Sequence, residues 1–442
     1  MRQIFIDVTE LTNWTGHLTG IQRVVYNTAQ SLAAQKTHSL DVRFVYFNSA
    51  TGSFTELEFL PEHHSFKGEE SKLSEGASHL KIAARDMYVR LPYGLRSKIT
   101  AQHKQAAKKI YHFGKNAYKG IRQKLQSQSK MTVDGKTPQA IAMGRSDVII
   151  SSGRIWDDPQ HQAALIQLKQ SYGVKLGYVI YDLIPIYQQH TFGPGLTVPY
   201  TNYLYDVLSH ADLVFPISKS SERDLMRFAS ELGFVSTPKS QVIRLGDDLP
   251  SKSMNDYTQL FGDNFCICVG TFEARKNHQI LYNVYKLAKE KSIDLPRLYI
   301  IGGKGWLTDD LRYFIENDSD IKDKIKLTTD IDDEKLSWLY RNAKFSVYPS
   351  QYEGWGLPVA ESLAYGLPCV ASNSSSIVEI ASGDVVNFIS PFDSNDILQT
   401  MQQLANSANN KKQRTLIKTN YKVTTWKSTA SAVLKGLNST EQ

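Results

Sequence analysis

The stretch FCICVGTFEARKNHQILYNVYKLAKEK, residues 265–291, reads as a strand, a loop and a helix in that order. The short apolar run ends at a glycine, as a buried parallel strand does. A polar loop carrying Arg275 and Lys276 comes next. The remainder places apolar residues at helical spacing. Positive charge therefore collects at the carboxyl end of a strand, the edge where open α/β sheets bind their ligands.

The same alternation extends in both directions. Downstream come RLYIIGG, TDDLRYFIEND, IKLTTD, DDEKLSWLYRNA, FSVYPS, a helix after Pro358, and CVASN. Upstream, QIFIDVT, GIQRVVYNTAQSLAAQ and VRFVYF open a first series. It resumes with DVIISSG, DDPQHQAALIQLKQSYG, KLGYVIYDLIP, a helix near Tyr200 to His210, ADLVFPIS and KSSERDLMRFASELG. The order predicts an α/β protein with two Rossmann-like doubly wound domains facing across a cleft. The expected boundaries are 1–250, with a basic insertion at about 81–130, then 260–418, then a helix over 419–442 that crosses back to the first domain.

A chain of 442 residues exceeds what one core usually serves, which agrees with two domains. No apolar run approaches the length of a membrane span. The start, MRQIFIDVTEL, lacks the basic-then-apolar pattern of a leader and reads as a first strand. Cys266 and Cys268 share one strand face with no further metal ligand nearby, so buried thiols of a reducing compartment are expected. The net charge of +7 is local: Lys81 to Lys130 holds thirteen Lys or Arg and one acid, Asp86. Tyr, Phe, Leu and Ile interleave with those charges, a pattern that suits an anionic membrane surface.

A second stretch, YEGWGLPVAESLAYG at 352–366, sets Glu353 before a turn and Glu361 about one helical turn after it. Pro358 suits a first helical position, and Gly354 and Gly356 permit close backbone approach. Amides at a helix start make a site for a diphosphate. One carboxylate then reaches a sugar while the other reaches a nucleoside. Two solvated helix-cap acids are the alternative.

VGTFEARKN followed by YPSQYEGWGLPVAESLAYGLPCVAS closely resembles family 4 retaining glycosyltransferases of the GT-B fold, most strongly over residues 212–380. DVTELTNWTGHLTGIQRVVYN and YDLIPIY further resemble bacterial polysaccharide glycosyltransferases, many of them mannosyltransferases. The resemblance implies catalytic roles for Glu353, Lys276 and Asp182. It implies donor binding by Glu361, Arg275, Gly354, Trp355, Gly356, Leu357, Gly270 and Thr271, with Gly20 and Arg23 on the acceptor or diphosphate side. Lys276 would neutralise the leaving diphosphate. Thr271 stands where many relatives carry an arginine, and Tyr181 where many carry a histidine. A helix-surface charge remains the alternative for Arg23, and a strand-end cap for Asp182.

Ser218 reads as a helix cap with Glu222 in the opening turn, Asp330 and Asp332 as helix-start acids, and IIGGKGW as a wall of the donor site. The resemblance implies a nucleotide-sugar donor, GDP-mannose above all, with no cofactor and no metal. The acceptor is expected to be a glycan or lipid-linked glycan, met from the cytoplasm at the inner face of the membrane, with no nucleic-acid partner. UDP-hexose or dTDP-rhamnose donors, an epimerase or phosphorylase of the same architecture, and a nucleic-acid binder using the basic segment stay open.

Overall fold

The computed structural model describes residues 2–14, 18, 20–35, 40–61, 141, 143–192, 195–248, 255–329 and 331–439. The basic segment 81–130 and Asp330 lie outside the described residues.

Two sheets form, as the alternation requires. The first comprises β1 (Arg2–Asp7), β2 (Leu40–Asn48), β3 (Ser53–Leu57), β4 (Val148–Ser151), β5 (Lys175–Ile180), β6 (Leu213–Pro216) and β7 (Lys239–Ser240), in the order β3-β2-β1-β4-β5-β6-β7. The second comprises β8 (Phe265–Val269), β9 (Arg297–Ile301), β10 (Ile325–Thr328), β11 (Ser346–Tyr348), β12 (Cys369–Ser372) and β13 (Asn387–Ile389), in the order β10-β9-β8-β11-β12-β13. In each, the chain reverses its direction of travel across the sheet beside the first strand, at β1/β4 and at β8/β11. Those two switch points are where such sheets open a crevice for ligands.

Every pairing is parallel except β2 with β3. That hairpin has no counterpart in the sequence reading, because only Phe54 of β3 is buried and no apolar run announces it. The central strands β4, β6 and β12 are buried along their whole length, which their unbroken apolar character reflects.

Helices begin where short polar side chains can accept exposed amides. Asp158 caps Pro159–Tyr172, Ser218 caps Lys219–Glu231, and Asp332 caps Asp333–Asn342. The helix after Glu353 runs Leu357–Ala364 from a left-handed Gly356, so Pro358 holds the second helical position rather than the first. Its missing N–H is still one that no helical carbonyl would have accepted.

Among the described residues, one of four hydrophobic clusters spans both sheets, and the other three each belong to a single sheet. Val8, Val24, Ile217 and Ile243 of the first half pack with Trp355, Val359, Ile377 and Ile380 of the second. The terminal helix Trp426–Asn438 adds Val433 and Leu437 to this core and lies against the helix Gly20–Ala33. Asp247 holds the returning chain by accepting from the Tyr421 hydroxyl and the Thr424 amide. Cys266, Cys268 and Cys369 are buried free thiols.

The loops after β8 and β9 touch so closely that a β-carbon on Gly302 would collide with the Gly270 carbonyl, whereas one on Gly303 would meet nothing within 4 Å. Gly302→Ala is therefore expected to cost about 1–3 kcal/mol, as overpacking does, and Gly303→Ala close to none. Thermal unfolding of the two variants checks this; equal melting temperatures would contradict it.

Candidate active site

The loops after β8 and β11, at the switch point of the second sheet, come together around Glu353. This carboxylate lies just after β11 and is 6% exposed. Its Oε1 accepts from Lys276 Nζ at 2.7 Å, the Tyr348 hydroxyl at 2.9 Å and the Ser350 hydroxyl at 2.5 Å. Its Oε2 faces Arg275 at 2.7 Å. Arg275 also binds Glu273 at 2.6 Å and the Tyr352 carbonyl at 2.7 Å. Two cations and two carboxylates thus share a site largely removed from water, where an unpaired charge would be costly.

The electrostatics follow from that crowding. Burial would raise the Glu353 carboxyl, but Arg275 and Lys276 hold it at about 2. Burial works against the Arg275 guanidinium, yet Glu353 and Glu273 keep it above its ordinary value. For Lys276 burial wins, and the ammonium sits below its ordinary value despite Glu353. Asp182, directly after β5, is pushed by burial up to about 6, against the pull of Arg275.

The first sheet meets this loop through backbone. A β-carbon on Gly354 would run into the Tyr181 carbonyl and the Asp182 side chain. The Ser221 hydroxyl donates to the Tyr181 carbonyl at 2.7 Å and lies 3.3 Å from that of Gly354. Tyr352 donates to Asp224. Glu379 accepts the Lys219 and Ser220 amides at 2.8 Å each, so a carboxylate of the second sheet caps a helix of the first. Trp306 donates its indole N–H to the Thr191 carbonyl at 2.7 Å.

A turn further along its helix, Glu361 makes a second cross-sheet pair. Its Oε1 accepts from Arg23 at 2.7 Å and its Oε2 from the Tyr340 hydroxyl at 2.8 Å. The pair borders a small, solvent-open pocket whose walls include Asp247, Asp333, Leu336, Leu357 and Trp426. Cations at a strand-end loop, a close glycine turn and a helix start beside a buried carboxylate form a site suited to a diphosphate-linked sugar.

Residues 254–423 match the family described as Glycosyl transferases group 1. They form a group 1 glycosyltransferase domain. O-antigen chain mannosyltransferase B of Escherichia coli is 35% identical over 148 residues, covering 33% of this chain and 38% of the relative. Serotype-specific mannosyltransferase WbdA of Escherichia coli is 25% identical over 343 residues, covering 74% of this chain and 41% of the relative. The matches thus span about two fifths of the length of these curated relatives. Sucrose-phosphate synthase from Thermosynechococcus elongatus superposes with a TM-score of 0.58 at 19% identity, over 98% of each chain. The fold is GT-B.

Within this glycosyltransferase domain and its partner sheet, Glu353, Lys276, Arg275, Asp182 and Gly354 come together. Gly270 belongs to the same place, because its φ of +149° suits glycine and the Lys276 side chain passes beside it. Gly356, also at positive φ, and Leu357 start the helix. Glu361 and Arg23 form a separate pair. Gly20 opens the Arg23 helix at a φ of +45° with open space around it, and Thr271 is exposed. The Trp355 ring is 5% exposed in the shared core, with the Arg244 guanidinium 5.3 Å from its centre. Residue 355 therefore has its backbone, not its ring, available to a donor. Tyr181 likewise turns its hydroxyl to the Ser152 carbonyl at 2.6 Å.

Sequence reasoning passed over Glu273, Tyr348, Ser350, Tyr340 and Glu379. Glu273 lies inside a quoted motif, and a second acid beside Arg275 was a usable signal. The hydroxyls carried none, because tyrosines and serines are common and their partners lie elsewhere in the chain.

Asp182 yields a pH test. Its folded value, about 6, lies above the ordinary 3.8. The folded state therefore binds this proton more tightly than the unfolded one. The associated stability is complete below about pH 4 and is lost as pH rises through 6. Asp182→Asn stays neutral throughout. Its melting temperature should match that of the unsubstituted protein near pH 4 and exceed it near pH 7.5, by no more than the ~3 kcal/mol that a two-unit shift represents. A pH-independent difference would count against the burial of an ionising Asp182.

Proposed function

We propose that the protein is a retaining glycosyltransferase that moves mannose from GDP-mannose onto a growing or lipid-linked bacterial surface polysaccharide. The observation that carries this reading is the Lys276–Glu353–Arg275 cluster at the switch point of the second sheet, with Asp182 of the first sheet beside it. The mannosyl group and the polysaccharide acceptor are supported by the names of the curated relatives.

The chemistry suits these residues. As the bond from the anomeric carbon to the diphosphate oxygen breaks, negative charge grows on the diphosphate and positive charge on the sugar ring. Lys276 and Arg275 stabilise the first and Glu353 the second, and both effects are larger in the transition state than before it. The acceptor hydroxyl attacks from the face the diphosphate leaves, and its proton passes to the departing phosphate oxygen. The anomeric configuration is retained with no protein nucleophile. The cations are side chains, so the reading assigns no step to a metal. Glu361 contacts the ribose.

The test is transfer from GDP-mannose, UDP-glucose and dTDP-rhamnose to a lipid-linked glycan acceptor, with a chelator present. Transfer from GDP-mannose with retained configuration is expected, and Lys276→Ala should lower turnover by ~10²-fold or more without unfolding the protein. Inversion, a metal requirement, or near-normal turnover of the variant would overturn the mechanism. A phosphorylated or epimerised sugar with no transfer would favour the other chemistries of this architecture.

The proposal also places the protein at an anionic membrane surface through 81–130. Each basic residue near such a surface contributes on the order of 1 kcal/mol. Replacing Lys104, Lys108, Lys109, Lys115 and Lys119 with glutamine should release the protein from vesicles containing phosphatidylglycerol while activity on a soluble acceptor persists. Unchanged vesicle binding, or none by the original protein, would remove the membrane from the account.

A further inference from the structure

The Glu361 carboxylate is engaged at both oxygens, by Arg23 on one and Tyr340 on the other. Ribose hydroxyls that approach this carboxylate compete with these partners for its acceptor positions. The two are held very differently. Tyr340 is 1% exposed, belongs to the core of the second sheet, and stacks on Tyr365 with ring centres 5.1 Å apart. Arg23 reaches over from the first sheet's opening helix, binds Glu361 through one nitrogen, and keeps 28% of its side chain in solvent. A long, partly hydrated cation in a single-point pair is the partner that yields.

Position adds to this. Arg23 stands in the wall of the pocket that also contains Glu361, and Asp333, in the same wall, attracts it as well. Among the described residues, the carboxylates that act on Arg23 most strongly, Glu361 and Asp333, belong to the second half of the protein.

We propose that Arg23 is a displaceable plug of the nucleoside subsite: it pairs with Glu361 across the cleft, and a ribonucleoside diphosphate must break that pair to reach the carboxylate. The proposal rests on the glycosyltransferase reading for the role of Glu361. A ligand that competes with an internal contact binds more weakly by the free energy of that contact. Removing Arg23 therefore tightens binding, which is the opposite of what a residue touching the diphosphate would do. The effect passes through Glu361 and vanishes when the carboxylate is gone.

Isothermal titration of the full chain with GDP and with UDP tests this on the original protein, Arg23→Ala, Glu361→Gln and the double variant. Arg23→Ala should bind the preferred nucleotide about 2- to 5-fold more tightly, the range for a partly exposed ion pair. Glu361→Gln should bind more weakly, and adding Arg23→Ala to it should change nothing further. Weaker or unchanged binding by Arg23→Ala, with the original protein binding normally, overturns the plug and leaves the donor reading standing. Binding by neither the original protein nor Arg23→Ala overturns both. Tighter binding by Arg23→Ala that persists in the Glu361→Gln background also overturns the plug, because Arg23 would then act through another group.

Discussion

The site depends on the burial of the Glu353 charge. A carboxylate with 6% exposure is tolerable only with cations in contact, and the chain supplies two from a loop 77 residues away. That demand fixes where the loop after β8 lies relative to the loop after β11. The remaining contacts follow from it: Glu273 balances Arg275, Tyr348 and Ser350 fill the Glu353 lone pairs, and Gly270 turns the chain at a positive φ beside the Lys276 stem. The arrangement is rigid because each group has several partners, and charges held in place beforehand need no reorganisation during a reaction.

The first sheet contributes little charge to this cluster beyond Asp182. Its part is to bring backbone close to Gly354 and to supply a helix start for Glu379. Specific side chains on one half therefore recognise main-chain groups on the other. Such contacts depend on the positions of strands and helices more than on residue identity, so they escape a reading of motifs.

The sequence made the sheets legible because period and apolar runs are local properties. Arg275, Lys276, Glu353 and Glu361 stood out through motifs that resemble a known family, and the first three of them lie in one cluster. What the sequence could not show was pairing. Nothing in GIQRV announces that Arg23 meets Glu361, 338 positions later. The inward turn of Trp355 was equally silent, since a loop between two glycines can bury its large side chain and present only its amides. Strand β3 was invisible because one buried phenylalanine does not make a pattern.

The shared core has a consequence for the cooperativity of the whole molecule. Val8 and Ile243 find much of their apolar surroundings among residues of the other half, including Trp355, Val359 and Ile377. The faces joined by that cluster lose their dry surroundings together, whereas the outer face of each sheet keeps a core of its own. Unfolding of the two halves is thus coupled through one layer of each rather than through its whole interior. A chain divided between them would yield fragments that associate, each acting as the missing interior of the other.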